Sequence, residues 1–146
     1  MENGLNTRVL LVDDEEDFLA VLAQRLEARN LTVSKATCGE DAVDIVEKKD
    51  FDVIILDMSM PGIDGLETLK RIKLGHPDAE IIMLTGHGTI QAGIEAMKLG
   101  AEDFIEKPVD IQELMEKIKD AKQKRILVLQ KQSKEEIEKI LKSKSW

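Results

Sequence analysis

Five short runs of Val, Ile and Leu recur along the chain, at Arg8–Val12, Leu31–Ser34, Val53–Leu56, Ile81–Leu84 and Phe104–Ile105. Between them the apolar residues fall at helical spacing. Phe18, Leu19, Leu22 and Leu26 mark the first such stretch, then Ala42, Val43 and Val46, then Leu66, Leu69 and Ile72, then Ile90, Ile94 and Met97. Short strands alternating with helices predict βαβ units and a parallel sheet. Val53-Ile54-Ile55-Leu56 is apolar without alternation, the pattern of a strand covered on both faces. The pattern predicts a five-stranded (βα)5 sheet.

Local punctuation fits this reading. Thr37 with Glu40 three residues on predicts a capping box, and so does Asp110 with Glu113. Gly75 and Gly100 stand where helix C-termini want a left-handed residue. Pro61-Gly62 and Gly86-His87-Gly88 read as loops after strands. The helix from Asp110 is expected to run through Ile118 and Ala121. Beyond it Ile126–Leu129 is apolar all round, and Ser133 with Glu136 could cap a new helix carrying Ile137, Ile140 and Leu141. A continuous helix with a weak break fits equally well. The division expected is a body over residues 1–122 and a helical tail over 123–146.

Composition narrows the class. A chain of 146 residues suits one compact domain with a short appendage. The lone Cys38 excludes an internal disulfide framework and fits a reducing, cytoplasmic setting. Neither a bilayer-spanning stretch nor an N-terminal leader is read in the sequence, and Met1–Gly4 reads as a short frayed end. The net charge of -8 argues against nucleic-acid binding over the body. From Lys119 to Trp146, however, nine Lys/Arg face four Asp/Glu, so the tail is basic and the remainder more acidic still.

In an open parallel sheet, functional groups gather outside the carboxyl ends of the strands. The polar residues just past successive runs are Asp13 and Asp14, then Asp57, then Thr85, then Lys107. Taken singly, each has a structural explanation: helix N-terminal acids, a turn before Pro-Gly, a helix cap, a surface charge. Together they place three carboxylates, a hydroxyl and an ammonium on one rim. Carboxylates so gathered repel one another unless a hard cation intervenes, and Mg2+ prefers such oxygens together with phosphate oxygens. Lys107 would add positive charge from the opposite side. One carboxylate can then act as nucleophile and form an acyl phosphate. Asp57 is the best candidate because it comes after the most apolar strand, and its acidic neighbours would serve the metal.

The segments Val12-Asp13-Asp14, Leu56-Asp57-Met58-Ser59-Met60-Pro61-Gly62, Leu84-Thr85-Gly86 and Glu106-Lys107-Pro108 resemble the receiver domains of two-component response regulators, over roughly Thr7 to Lys122. The resemblance implies a flavodoxin-like doubly wound sheet of strand order 2-1-3-4-5, with a C-terminal helical extension. It implies Asp57 as phosphoacceptor, with Mg2+ held by Asp13, Asp14, Asp57 and the Ser59 backbone carbonyl. Thr85 would bond the phosphoryl group and Lys107 would contact both carboxylate and phosphoryl. Phe104 would be the aromatic whose rotamer reports activation, and Lys107-Pro108 the family's cis peptide. His87 reads as a loop residue near the site, His76 as a solvent-facing turn and Cys38 as a packing residue.

The stretch from Leu84 to Thr89 is especially similar to receivers of nitrogen-regulation activators. Those carry an ATPase and a DNA-binding domain after the receiver, and this sequence shows no Walker motif. The implied partner is a histidine kinase or a phosphotransfer protein. The switching surface would be the fourth and fifth helices and the strand between them. A homodimer is expected through that face or through the helical tail, with no membrane partner. Self-catalysed phosphorylation and dephosphorylation would be its only chemistry. Two rival functions argue less well. An aspartate-nucleophile phosphohydrolase wants an acid two positions after Asp57, where Ser59 stands. A DNA-binding regulator wants a helix-turn-helix with its own core, which the tail does not offer.

Overall fold

The computed structural model describes residues 7–86 and 90–143, and of Ile90 only the backbone. The elements alternate: β1 (Arg8–Val12), α1 (Glu16–Glu27), β2 (Thr32–Ala36), α2 (Gly39–Lys48), β3 (Val53–Asp57), α3 (Gly65–Gly75), β4 (Ile81–Thr85), α4 (Ile90–Lys98), β5 (Asp103–Glu106) and α5 (Ile111–Ser143). The five strands are parallel in the order β2-β1-β3-β4-β5. This is the flavodoxin-like doubly wound sheet expected from the sequence.

Every residue of β3 and β4 is buried, which their unbroken apolar character requires of a sheet covered on both faces. Because side chains alternate along a strand, each run feeds two cores. Val9, Leu11, Val53, Ile55, Ile82 and Leu84 pack with α1 and α5 through Leu19, Leu22, Leu26, Leu114 and Ile118. Leu10, Val12, Ile54, Leu56, Ile81 and Met83 pack on the other face with α2, α3 and α4 through Ala42, Val46, Leu69, Ile72 and Ala96.

Several local expectations are corrected. Helix α2 begins at Gly39 with Cys38 as N-cap and no side-chain cap bond, so the Thr37/Glu40 box does not form. Packing sets this start. A Cβ at Gly39 would stand 2.1 Å from the Thr68 hydroxyl, so α2 can meet α3 here only through a glycine. Gly75 is the last helical residue of α3 and His76 caps it, with Nε2 of His76 3.6 Å from Glu47. Gly100 does take the left-handed conformation, at φ +104°.

In α4 the spacing misleads. Ile94 and Met97 are 42% and 43% exposed, while Gly93 and Ala96 face the sheet and the Phe104 ring lies against Gly93. Small residues make the packing face, and the large apolar ones point to solvent.

Helix α5 is continuous through Ser143, with no new start at Ser133. Asp110 caps it, accepting from Gln112 and Glu113. Leu114, Ile118 and Ala121 bury its first half. Past them the basic residues are not simply solvated. Lys122 bonds the Thr7 hydroxyl (2.8 Å) and Lys124 meets Glu102 (2.6 Å). Arg125 donates to the Phe51 carbonyl and to Asp50, and Gln132 reaches Asp78 (2.7 Å). These contacts tie the helix to the amino-terminal edge of the sheet. Among the described residues no helix is long and apolar enough to cross a membrane.

Candidate functional site

The strand ends place the chemistry. Asp13 stands just past β1, Asp57 closes β3, Thr85 closes β4 and Lys107 stands just past β5. The register sets Val12 beside Leu56, Asp57 beside Leu84 and Thr85 beside Glu106, so all four reach one rim. Backbone pairing continues just past the strands, from Asp13 N–H to Ala36 (3.1 Å), Met58 N–H to Leu84 (2.9 Å) and Lys107 N–H to Thr85 (2.8 Å). The bases of the loops are thereby fixed. Gly65, at the start of α3, donates to the Met58 carbonyl, and a Cβ there would stand 2.3 Å from the Asp57 carbonyl oxygen. Only glycine lets α3 approach the β3 end this closely.

Carboxylate oxygens of Asp13, Asp14 and Asp57 lie within 4.8 Å of one another. Asp13 and Asp57 are buried and Asp14 is exposed. The Lys107 ammonium enters this cluster, 3.0 Å from Asp13, 3.4 Å from Asp57 and 3.6 Å from Glu15. The Lys107-Pro108 peptide is cis. Asp13 also accepts from the Glu15 N–H at 2.9 Å.

Burial and the neighbouring Asp13 charge push the Asp57 carboxyl up from its ordinary 3.8 to about 6, against the pull of Lys107 and of the Ser59 N–H. Burial lowers Lys107, but its hydrogen bond to Asp13 and the charges of Asp57 and Asp13 outweigh that, so its pKa is raised. Among the described residues, one ammonium shared by Asp13, Asp57 and Glu15 leaves the cluster short of positive charge. A hard divalent cation on the three carboxylates would relieve it, so these residues fit Mg2+.

Thr85 is buried at the same rim, with its hydroxyl 3.4 Å from the Ile105 carbonyl. Ser59 is exposed two residues past Asp57. Phe104 is not in the cluster; its ring lies against Gly93 of α4. His87 lies outside the described residues. Sequence reasoning missed Glu15 and Phe18, whose ring lies 4.5 Å beneath the Lys107 ammonium. Adjacency to Asp13-Asp14 was a signal for Glu15. Phe18 gave none, because its helical spacing reads as core.

Residues 9–119 match the family "Response regulator receiver domain". The chain belongs to the response regulator receiver family. Two-component signalling, Mg2+ and phosphoaspartate are typical of that family.

Among curated relatives, the C4-dicarboxylate transport transcriptional regulatory protein DctD of Rhizobium meliloti is 35% identical over 125 residues, covering 86% of this chain and 27% of that protein. The DNA-binding transcriptional regulator NtrC of Escherichia coli is 36% identical over 113 residues, covering 77% of this chain and 24% of that protein. The chain thus spans about a quarter of the length of these regulators. Among solved structures, a receiver domain protein from Clostridium thermocellum superposes with a TM-score of 0.80 at 35% identity, covering 84% of this chain and 98% of that one. NtrX from Brucella abortus superposes at 0.81 and 30% identity, covering 86% of this chain and 29% of that one.

Proposed function

We propose that this receiver is the phosphoacceptor of a two-component phosphorelay, with Asp57 taking a phosphoryl group from the phosphohistidine of a histidine kinase or phosphotransfer protein. The reading rests on one observation above all: three carboxylates within 4.8 Å of one another face an ammonium 3.4 Å from Asp57. A carboxylate oxygen of Asp57 bonds to phosphorus as the phosphorus–nitrogen bond breaks. The electron pair stays on the imidazole nitrogen, and the protonated ring leaves neutral. Asp13, Asp14, Asp57 and the Ser59 carbonyl would hold Mg2+. Mg2+, when bound, would supply positive charge that stabilises the phosphoryl group. Lys107 offsets charge from the other side, and Thr85 bonds the phosphoryl group once it has arrived. Phosphorylation and dephosphorylation of Asp57 are the only reactions assigned to the chain.

Incubation with acetyl phosphate and Mg2+ tests this. The wild type should gain one phosphoryl group by intact mass, and a folded Asp57→Asn variant none. Labelling of the variant would refute Asp57 as acceptor.

Residues 1–122 form the receiver in this reading and 123–146 a helical extension. The output surface is α4, β5 and α5, where Ile94, Met97 and Phe104 are exposed. The extension exposes Leu127, Ile137, Ile140 and Leu141 as well. Either apolar surface could carry a homodimer. Sedimentation of the full chain against a version ending at Lys124 decides between them. Loss of the dimer on truncation assigns it to the extension, and a monomer throughout, with and without beryllofluoride, removes the dimer.

A further inference from the structure

The Lys107 ammonium meets both carboxylates and an aromatic ring. The carboxylates are those of Asp13 and Asp57, and the ring is that of Phe18, its centroid 4.5 Å from the ammonium. Phe18 is the third residue of α1, half-buried and packed against the core beneath the sheet. Together with Gly86, Lys107 and Pro108 it lines an open cavity of about 520 Å3 beside the acid cluster. A lysine carries its charge on a flexible four-carbon stem, so the position of the ammonium depends on its surroundings. Glu15 also pulls on it, at 3.6 Å, but that carboxylate is 69% exposed and such pairs are weak in water. A cation within about 6 Å of an aromatic centroid is attracted by the ring face, more strongly where water is partly excluded. Lys107 is only 22% exposed.

We propose that Phe18 is a positioning residue for phosphoryl transfer: its ring holds the Lys107 ammonium at the mouth of the acid cluster, where it meets the incoming phosphoryl group. This rests on the reading of Lys107 as a phosphoryl contact. A leucine at position 18 would fill the same core space but offer no ring face. The ammonium would then be free to swing toward Glu15 and solvent.

The test compares wild type, Phe18→Leu and Phe18→Trp, each with Lys107 and with Lys107→Met. The quantity measured is the rate of Asp57 phosphorylation by acetyl phosphate at saturating Mg2+, with thermal melts as a check on folding. Phe18→Leu should slow labelling about 3- to 10-fold, and Phe18→Trp should restore it to within about twofold. With Lys107→Met in place, the leucine substitution should cost nothing further, because its effect runs through the ammonium. A leucine variant as fast as wild type overturns the inference, as does a tryptophan variant as slow as leucine. Equal slowing in both Lys107 backgrounds overturns it too, and the tryptophan comparison stands by itself should Lys107→Met label too slowly to measure. Absence of labelling in the wild type would remove the phosphoacceptor reading and this inference together. A labelled wild type with an unaffected leucine variant removes the inference alone.

Discussion

At the carboxyl ends of β1 and β3, Asp13, Asp14 and Asp57 gather and the Lys107 ammonium meets Asp13 and Asp57, whereas at the amino end of β3 Asp50 and Asp52 meet two guanidinium groups. Arg8 bonds Asp52 through its backbone N–H (2.7 Å) and stands 3.4 Å from it through its side chain. Arg125 reaches Asp50 at 3.0 Å and Asp52 at 3.7 Å. Acids gather at both ends of the same strand, yet one group is balanced in place and the other is left short of cations. A balanced group has nothing further to bind and can only fasten α5 to the sheet. The unbalanced group is under electrostatic stress that a divalent cation would relieve. Surplus charge, rather than the mere presence of carboxylates, separates the working end from the fastened one.

Removing the surplus should therefore stabilise the protein. The folded-state pKa of Asp57 lies above its ordinary value, so the native chain holds this proton more tightly than the unfolded one does. Without metal, the Asp57 contribution to stability should be greatest below about pH 4, fall between about pH 4 and 6, and stay reduced above that. The rise to about 6 corresponds to a ceiling of about 3 kcal/mol. Asp57→Asn should recover about 1–3 kcal/mol at pH 7.5 without Mg2+ and flatten that part of the pH profile, as read by urea melts at several pH values. A variant no more stable than wild type would mean that Lys107 already balances the cluster.

Mg2+ supplies the next test. At a hundredfold excess over its Kd it should add about 2.7 kcal/mol to the wild type, and Asp14→Ala should lose most of that gain. Equal gains in both proteins would take Asp14 out of the metal site. At the fastened end Arg125→Ala should cost about 1–2 kcal/mol by leaving the Phe51 carbonyl and Asp52 short of partners. Its Mg2+ response and Asp57 labelling should match wild type. Lys124→Ala should cost no more than about 0.5 kcal/mol, since that lysine is largely exposed. Altered labelling in either variant would show that the two ends are coupled.

The sheet was legible because its strands are unbroken apolar runs, and the acid cluster because strand ends are where such sheets gather their chemistry. The packing misreadings share a cause: periodicity tells which residues are apolar, not which neighbour they meet. In α4 it pointed to Ile94 and Met97, though Gly93 and Ala96 make the contact. In α1 it hid Phe18, which serves core and site at once. The Arg125 pairing joins residues 75 apart in sequence, and nothing local at Asp50 announces it. Ser133 had the chemistry to start a helix, but α5 was already running and nothing there stopped it.

An unbroken α5 also has the length of a lever. Its last buried residue is Ala121, and the helix runs on to Ser143, about 33 Å further at 1.5 Å per residue. A rotation of only about 10° at the sheet would sweep the far end through about 6 Å. Arg125 and Gln132 tie the inner half of the arm to the body, so any such rotation would have to break the Arg125–Asp50 and Gln132–Asp78 bonds first.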